Sequence, residues 1–221
     1  MEICVFYTSP KLGDIILQLP FVKAIAKHYN VNVTLCINKN INIGKILQKQ
    51  SYINSIIENP FRKGRFFLSD VFNLSKKLNE KNIDCAFILD KTKGPAIACN
   101  LARVKKIYGF GIGSQKYFVE KFPTLNRNDL RYNYTKQSIK FLHKLNIFCD
   151  FNESFLVLDQ EENKNLLKEY EGLPKPWVCF AVDSTEVNRV WPQRNFAQLA
   201  DKLVEKNLAK TIFVINYENH K

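Results

Sequence analysis

Residues 2–20 read EICVFYTSPKLGDIILQLP, and this stretch decides how the chain folds. The run EICVFY (2–7) is apolar and short, the pattern of a buried strand. From residue 14 to 28 the spacing changes: Ile15, Ile16, Leu19, Val22, Ile25 and Ala26 recur at helical intervals. Pro20 falls inside that helix and is expected to kink it or to end its first turns. A strand that hands over to a helix through TSPKLGD (8–14) is the first half of a βαβ unit. It also places a carboxylate, Asp14, at the handover.

The same alternation continues outward from this stretch. VNVTLCI (31–37), INSIIE (53–58), DCAFIL (84–89) and KKIYGF (105–110) read as strands, and 66–80 and 95–103 read as helices. Strands alternating with helices predict a parallel sheet covered on both faces. Residues 111–130 follow no period and read as a long loop, of the kind usually tied to function. A helix is expected over 131–145, a strand at FLVL (155–158) and a short helix at 160–170. GLPKP (172–176) breaks any regular element. The alternation then restarts with strand 177–182, loop 183–192, a helix from about 193 to 207 and strand 211–215. The expected organisation is a Rossmann-like α/β domain over 1–152, a linker region over 153–176 and the beginning of a second, similar domain over 177–221.

Composition narrows the function classes. The 221 residues suffice for one medium domain with a core, or for one domain and part of another. No window resembles a membrane span of about 20 apolar residues, and the N-terminus lacks the basic-then-apolar layout of a signal peptide. A cytoplasmic protein is therefore expected. The six cysteines contain no C-x-x-C pair and the three histidines are scattered, so no metal site is expected. The cysteines, four of them in apolar runs, read as small core residues. A net charge of +12 favours anionic partners without choosing among nucleic acid, membrane surface and phosphorylated small molecules. No nucleic-acid-binding motif accompanies the charge.

Two stretches carry candidate chemistry. In TSPKLGD, Gly13 permits a tight turn or a close backbone approach. Asp14 at the helix start is favoured in its charged form by the helix dipole and could take a proton from a substrate hydroxyl. The alternative is a plain N-cap. In DSTEVNRVWPQRNFAQLA (183–200), Ser184 and Thr185 offer hydroxyls and Arg189 a fork suited to phosphate oxygens, although an ordinary polar loop reads equally well. Pro192 is expected at the first helical position, and Trp191 as a ligand cover or an edge plug. YGFGIGS (108–114) has one residue too few between its last glycines for a dinucleotide fingerprint, and reads as a flexible loop. NPFRKGR (59–65) is a basic stretch expected to be a solvated loop.

Taken together, LGDIILQLPFVKAI and DSTEVNRVWPQRNFAQLADKL resemble two motifs of the heptosyltransferase family, glycosyltransferase family 9, in order and separation. LARVKKIYGF is similar to the stretch between them. The resemblance spans nearly the whole chain and about two-thirds of a usual family member. It implies a GT-B type fold with an acceptor-binding domain and a nucleotide-sugar donor domain. The implied reaction is metal-independent, inverting transfer of a heptose-type sugar from a donor such as ADP-heptose to a lipopolysaccharide core acceptor, with no cofactor. Asp14 matches the catalytic base, Ser184, Thr185 and Arg189 the donor-phosphate contacts, and Lys11 and Gly13 belong to the acceptor-side loop. The implied partners are the nucleotide-sugar donor and a lipid-linked glycan acceptor, with peripheral contact to an anionic membrane surface at the inner face of the inner membrane and no nucleic acid. The family's later donor-site elements would lie past residue 221, and LDKTKGPA matches its counterpart poorly. A second expectation therefore stays open: a truncated, non-catalytic homologue that binds anionic glycan or a partner chain.

Overall fold

The computed structural model describes residues 1–9, 11–38, 44–61, 67–153, 155–158, 160–182 and 190–215. The chain divides into two compact units, Met1–Leu158 and Asp159–Lys221.

The first unit is built on strands β1 (Ile3–Tyr7), β2 (Val33–Asn38), β3 (Ile53–Asn59), β4 (Cys85–Ile88) and β5 (Lys106–Gly109). Their order in the sheet is β3-β2-β1-β4-β5, and every described pairing is parallel. Helices α1 (Leu12–Tyr29), α2 (Gly44–Gln48), α3 (Leu68–Glu80), α4 (Lys93–Leu101) and α5 (Tyr134–His143) supply the crossovers and cover. Both faces of the sheet are buried. One packs Ile3, Val5, Leu35 and Phe87 against Leu19, Val22 and Ile25 of α1 and Phe141 of α5. The other packs Cys4, Phe6, Cys36, Ala86 and Ile88 against Val71, Leu74 and Leu78 of α3 and Ala96 and Cys99 of α4. Burial on both faces is why the strands read as continuous apolar runs. Cys4, Cys36, Cys85 and Cys99 are core residues with free thiols. Burial pushes those thiols up, which keeps them unreactive.

Three local expectations are corrected. Pro20 does not end α1, which runs on to Tyr29. A proline inside a helix costs roughly 3 kcal/mol, but Leu19, Phe21, Val22, Ile25 and Ala26 on the same helix are buried, and that packing outweighs it. Residues 155–158 form no strand. Both backbone groups of Val157 are taken by the Gln50 side-chain amide, at 2.9 and 2.8 Å, and Phe155 carbonyl accepts from the Tyr52 hydroxyl. A ladder needs those groups free. The helix expected over 131–145 starts only at Tyr134, because the Asn133 side chain caps it by accepting from Lys136 N–H at 2.9 Å.

The loop after β5 also has a defined form. Phe110 carbonyl accepts from Leu125 N–H at 2.8 Å and Ile107 carbonyl from Glu120 N–H at 2.8 Å, so the returning chain covers the sheet edge. The glycines there serve this packing. Gly111 sits at φ +69°, and a Cβ added to it would lie 2.5 Å from Thr124 Cγ2; Gly113 sits at φ +59° facing open space. Gly111→Ala is expected to cost about 1–3 kcal/mol from strain plus overpacking, and Gly113→Ala about 1 kcal/mol from strain alone. Urea unfolding of the two variants side by side checks the difference.

The second unit contains α6 (Gln160–Tyr170), β6 (Trp177–Ala181), α7 (Gln193–Glu205) and β7 (Thr211–Ile215), with β6 and β7 parallel. Leu173 to Pro176 are tied to the start of β7: Thr211 donates its hydroxyl to Pro174 carbonyl at 2.7 Å and Lys210 N–H to Pro176 carbonyl at 2.8 Å. Phe196 on α7 meets Phe180 at 5.6 Å and Trp191 at 4.9 Å between ring centroids. Trp191 thus packs edge-on at the helix entrance, and Pro192 is the residue before the helix rather than its first. Among the described residues of this unit, only Phe180 and Ala209 are buried apolar residues, while Val204, Leu208, Val214 and Ile215 remain exposed.

Candidate active site

In an open parallel sheet, ligands bind beyond the carboxyl ends of the strands, where the strand order reverses. Here the order reverses between β1 and β4. The chain leaves β1 through Thr8 and Ser9, and leaves β4 through Leu89, Asp90 and Thr92.

Asp90 locks these two exits together. Its carboxylate, only 6% exposed as a residue, accepts Thr8 N–H at 3.0 Å and the Thr8 hydroxyl at 2.7 Å on Oδ2, and Thr92 N–H at 2.7 Å on Oδ1. The Thr8 and Thr92 hydroxyls lie 2.9 Å apart. Behind them the fully buried Gln115 donates to the carbonyls of Asp90 and Thr92 at 2.9 and 3.0 Å and accepts Gly111 N–H at 2.9 Å. The loops after β1, β4 and β5 are therefore one hydrogen-bonded unit. Sequence reading missed both Asp90 and Gln115. Asp90 had a detectable signal, since it is an acidic residue directly after the apolar run DCAFIL, at a strand-to-helix handover. Gln115 had none.

On this floor α1 begins. Lys11 is its N-cap residue, extended at φ −100°, ψ 130°, and makes no side-chain cap bond. Gly13 is the second helical residue, and a Cβ there would meet nothing within 4 Å. Neither a tight turn nor packing requires this glycine; it leaves a strip of bare backbone facing outward. Asp14 is the third helical residue, so the N-cap reading of Asp14 is corrected. It stands in the first turn, where the helix dipole favours a carboxylate. Its Oδ2 accepts the Ser9 hydroxyl at 2.6 Å.

Beside Asp14 the end of β1 and α1 itself add two neutral polar groups, Tyr7 and Gln18. Tyr7 ends β1 and is buried, with the Gln18 side chain as hydrogen-bond partner; Gln18 Oε1 accepts from the Ser138 hydroxyl on α5 at 3.4 Å. Burial first, then the charges of Asp14 and Asp90, push the Tyr7 phenol well above its ordinary value. Tyr7 therefore remains a protonated donor at any physiological pH and does not compete with Asp14 as a base.

The structure thus brings Lys11, Gly13 and Asp14 together with Ser9, Tyr7 and Asp90. Ser184, Thr185 and Arg189 lie outside the described residues, as do Arg62, Lys63 and Arg65 of the basic stretch. Among the described residues no group of three His, Cys, Asp or Glu side chains is placed to hold a metal ion.

No family model matches the chain, and no curated protein matches it in sequence. Solved structures do match. A glycosyl transferase family 9 protein from Veillonella parvula DSM 2008 aligns with a TM-score of 0.72 at 20% identity, over 96% of this chain and 61% of its own. ADP-heptose lps heptosyltransferase II of E. coli aligns at 0.71 and 16% identity, over 99% of this chain and 65% of its own. E. coli heptosyltransferase WaaC with ADP-2-deoxy-2-fluoro heptose aligns at 0.68 and 15% identity, over 100% and 70%. The chain therefore has the heptosyltransferase-like fold of glycosyltransferase family 9, of GT-B type, and spans 61% to 70% of the length of these proteins.

Proposed function

We propose that this chain is a glycosyltransferase, or the acceptor-side portion of one, that moves a heptose-type sugar from a nucleotide-sugar such as ADP-heptose to a lipopolysaccharide core acceptor. The observation that carries the reading is Asp14: a half-exposed carboxylate in the first turn of α1, beside the switch point of a sheet whose fold matches known heptosyltransferases.

Asp14 accepts the proton of an acceptor hydroxyl as that oxygen attacks the anomeric carbon. The new carbon–oxygen bond forms on the face opposite the breaking one, and the electron pair of the broken bond departs with the nucleoside diphosphate. The result is inversion, and no metal is called for. Gly13 lets the acceptor lie close to the helix backbone, with Lys11 beside it. Ser184, Thr185 and Arg189 hold the donor diphosphate, Arg189 by its fork of donors. The surplus positive charge draws the chain to the lipid-linked acceptor at the anionic inner face of the membrane. Among the described residues no helix is long and apolar enough to cross a membrane.

The test is to incubate the full chain with ADP-heptose and heptose-deficient lipopolysaccharide core, following ADP release and the mass of the glycan. Transfer supports the reading. Binding of the glycan without transfer points to the truncated, non-catalytic homologue, and the absence of both transfer and binding overturns the proposal.

A further inference from the structure

We propose that Ser9 is a positioning residue for the transfer reaction, holding the Asp14 carboxylate by one oxygen so that the other takes the acceptor proton; this inference rests on the reading of Asp14 as the base. Ser9 has one hydroxyl proton, and the structure fixes where it goes. Lys11 N–H donates to Ser9 Oγ at 3.3 Å, which occupies a lone pair. The hydroxyl proton is therefore given to Asp14 Oδ2, at 2.6 Å, within the range of a hydroxyl donating to a charged oxygen. Among the described residues Asp14 Oδ1 accepts no hydrogen bond, and it is the oxygen left with lone pairs for a substrate.

Ser9 directly follows a tightly held residue on the exit from β1. Its neighbour Thr8 is held to the buried Asp90 through both N–H and hydroxyl. Asp90 is in turn backed by Gln115. Ser9 thus transmits the rigidity of the β1–β4 floor to a carboxylate that is itself half-exposed. The terminal torsion of an aspartate is broad and nearly two-fold, so without such a tether the carboxylate would turn and share both oxygens with water.

The experiment uses the full chain with Ser9→Ala, Ser9→Thr, Asp14→Asn and the double variant Ser9→Ala/Asp14→Asn. Ser9→Ala is expected to lower kcat by about 5- to 50-fold with acceptor KM within about twofold, because it disturbs orientation rather than binding. Ser9→Thr keeps the hydroxyl and restores kcat to within about threefold. On the Asp14→Asn background, Ser9→Ala causes no further loss, because both changes act through one carboxylate. Wild-type kcat in Ser9→Ala would overturn the proposal, as would additive losses in the double variant. A substrate-free measurement separates this from the function itself. With carboxyl-13C aspartate, the Asp14 resonance, identified by its absence in Asp14→Asn, should move in Ser9→Ala and return in Ser9→Thr. An unmoved resonance refutes the hydrogen bond. Full activity of Asp14→Asn instead refutes Asp14 as the base, and the role of Ser9 with it.

Discussion

Asp14→Asn is expected to reduce transfer by about 10²- to 10⁴-fold, the usual worth of a positioned general base, while leaving the fold intact. The reason for the small structural cost is local. Asp14 is not the N-cap, so no cap is lost; the change removes only the interaction of a charge with the first helical turn, worth about 0.3–1 kcal/mol. An asparagine carbonyl still accepts the Ser9 hydroxyl in place of Oδ2. What the amide lacks is the ability to take a proton. Turnover and thermal midpoint measured together decide the point. Near-normal turnover at unchanged stability would remove Asp14 from the chemistry.

Asp90→Asn makes the same chemical change at the carboxylate that joins the β1 and β4 exits and is expected to have the opposite profile, a loss of about 2–4 kcal/mol in stability. Both oxygens of Asp90 accept backbone N–H groups, Thr8 on one and Thr92 on the other. An asparagine must place its NH₂ against one of them, which turns a hydrogen bond into a donor–donor contact in a buried place. An unpaired buried donor costs about 1–3 kcal/mol, and the Thr8 hydroxyl and the Gln115 contacts are disturbed with it. Because Asp90 anchors the loop that carries Ser9, activity should fall as well, but in step with loss of the native state. Denaturant unfolding of Asp14→Asn and Asp90→Asn in parallel separates a carboxylate used for chemistry from one used for architecture. Equal stability of the two variants would contradict a structural role for Asp90.

Much of the architecture is written locally. The apolar runs at β1, β2 and β4 appear at the expected places because these strands are buried on both faces, and β5, at the sheet edge, keeps a shorter run with Lys106 exposed. The amphipathic spacing marked α1, α3 and α4 for a similar reason, and of the glycines in YGFGIGS, Gly111 and Gly113 stand at positive φ, with Gly111 close against Thr124. The short helix α2 was not legible, since five residues carry too little period. FLVL was misread as a strand because its apolar pattern cannot show that Gln50, more than a hundred positions away, satisfies its backbone.

The sequence by itself determined the class, an alternating parallel α/β chain, and marked Asp14 at the first strand-to-helix handover, because strand and helix periods and the carboxylate between them are local properties. Only the tertiary structure decided that β4, not β2 alone, lies beside β1. Through that neighbour relation Asp90 reaches Thr8 across 82 positions of chain, Ser9 is held still, and Asp14 stands as the third residue of its helix rather than its cap. Strand order follows from how the helices pack on the two faces and from the right-handed crossovers. Those are long-range choices, and no window of the sequence contains them.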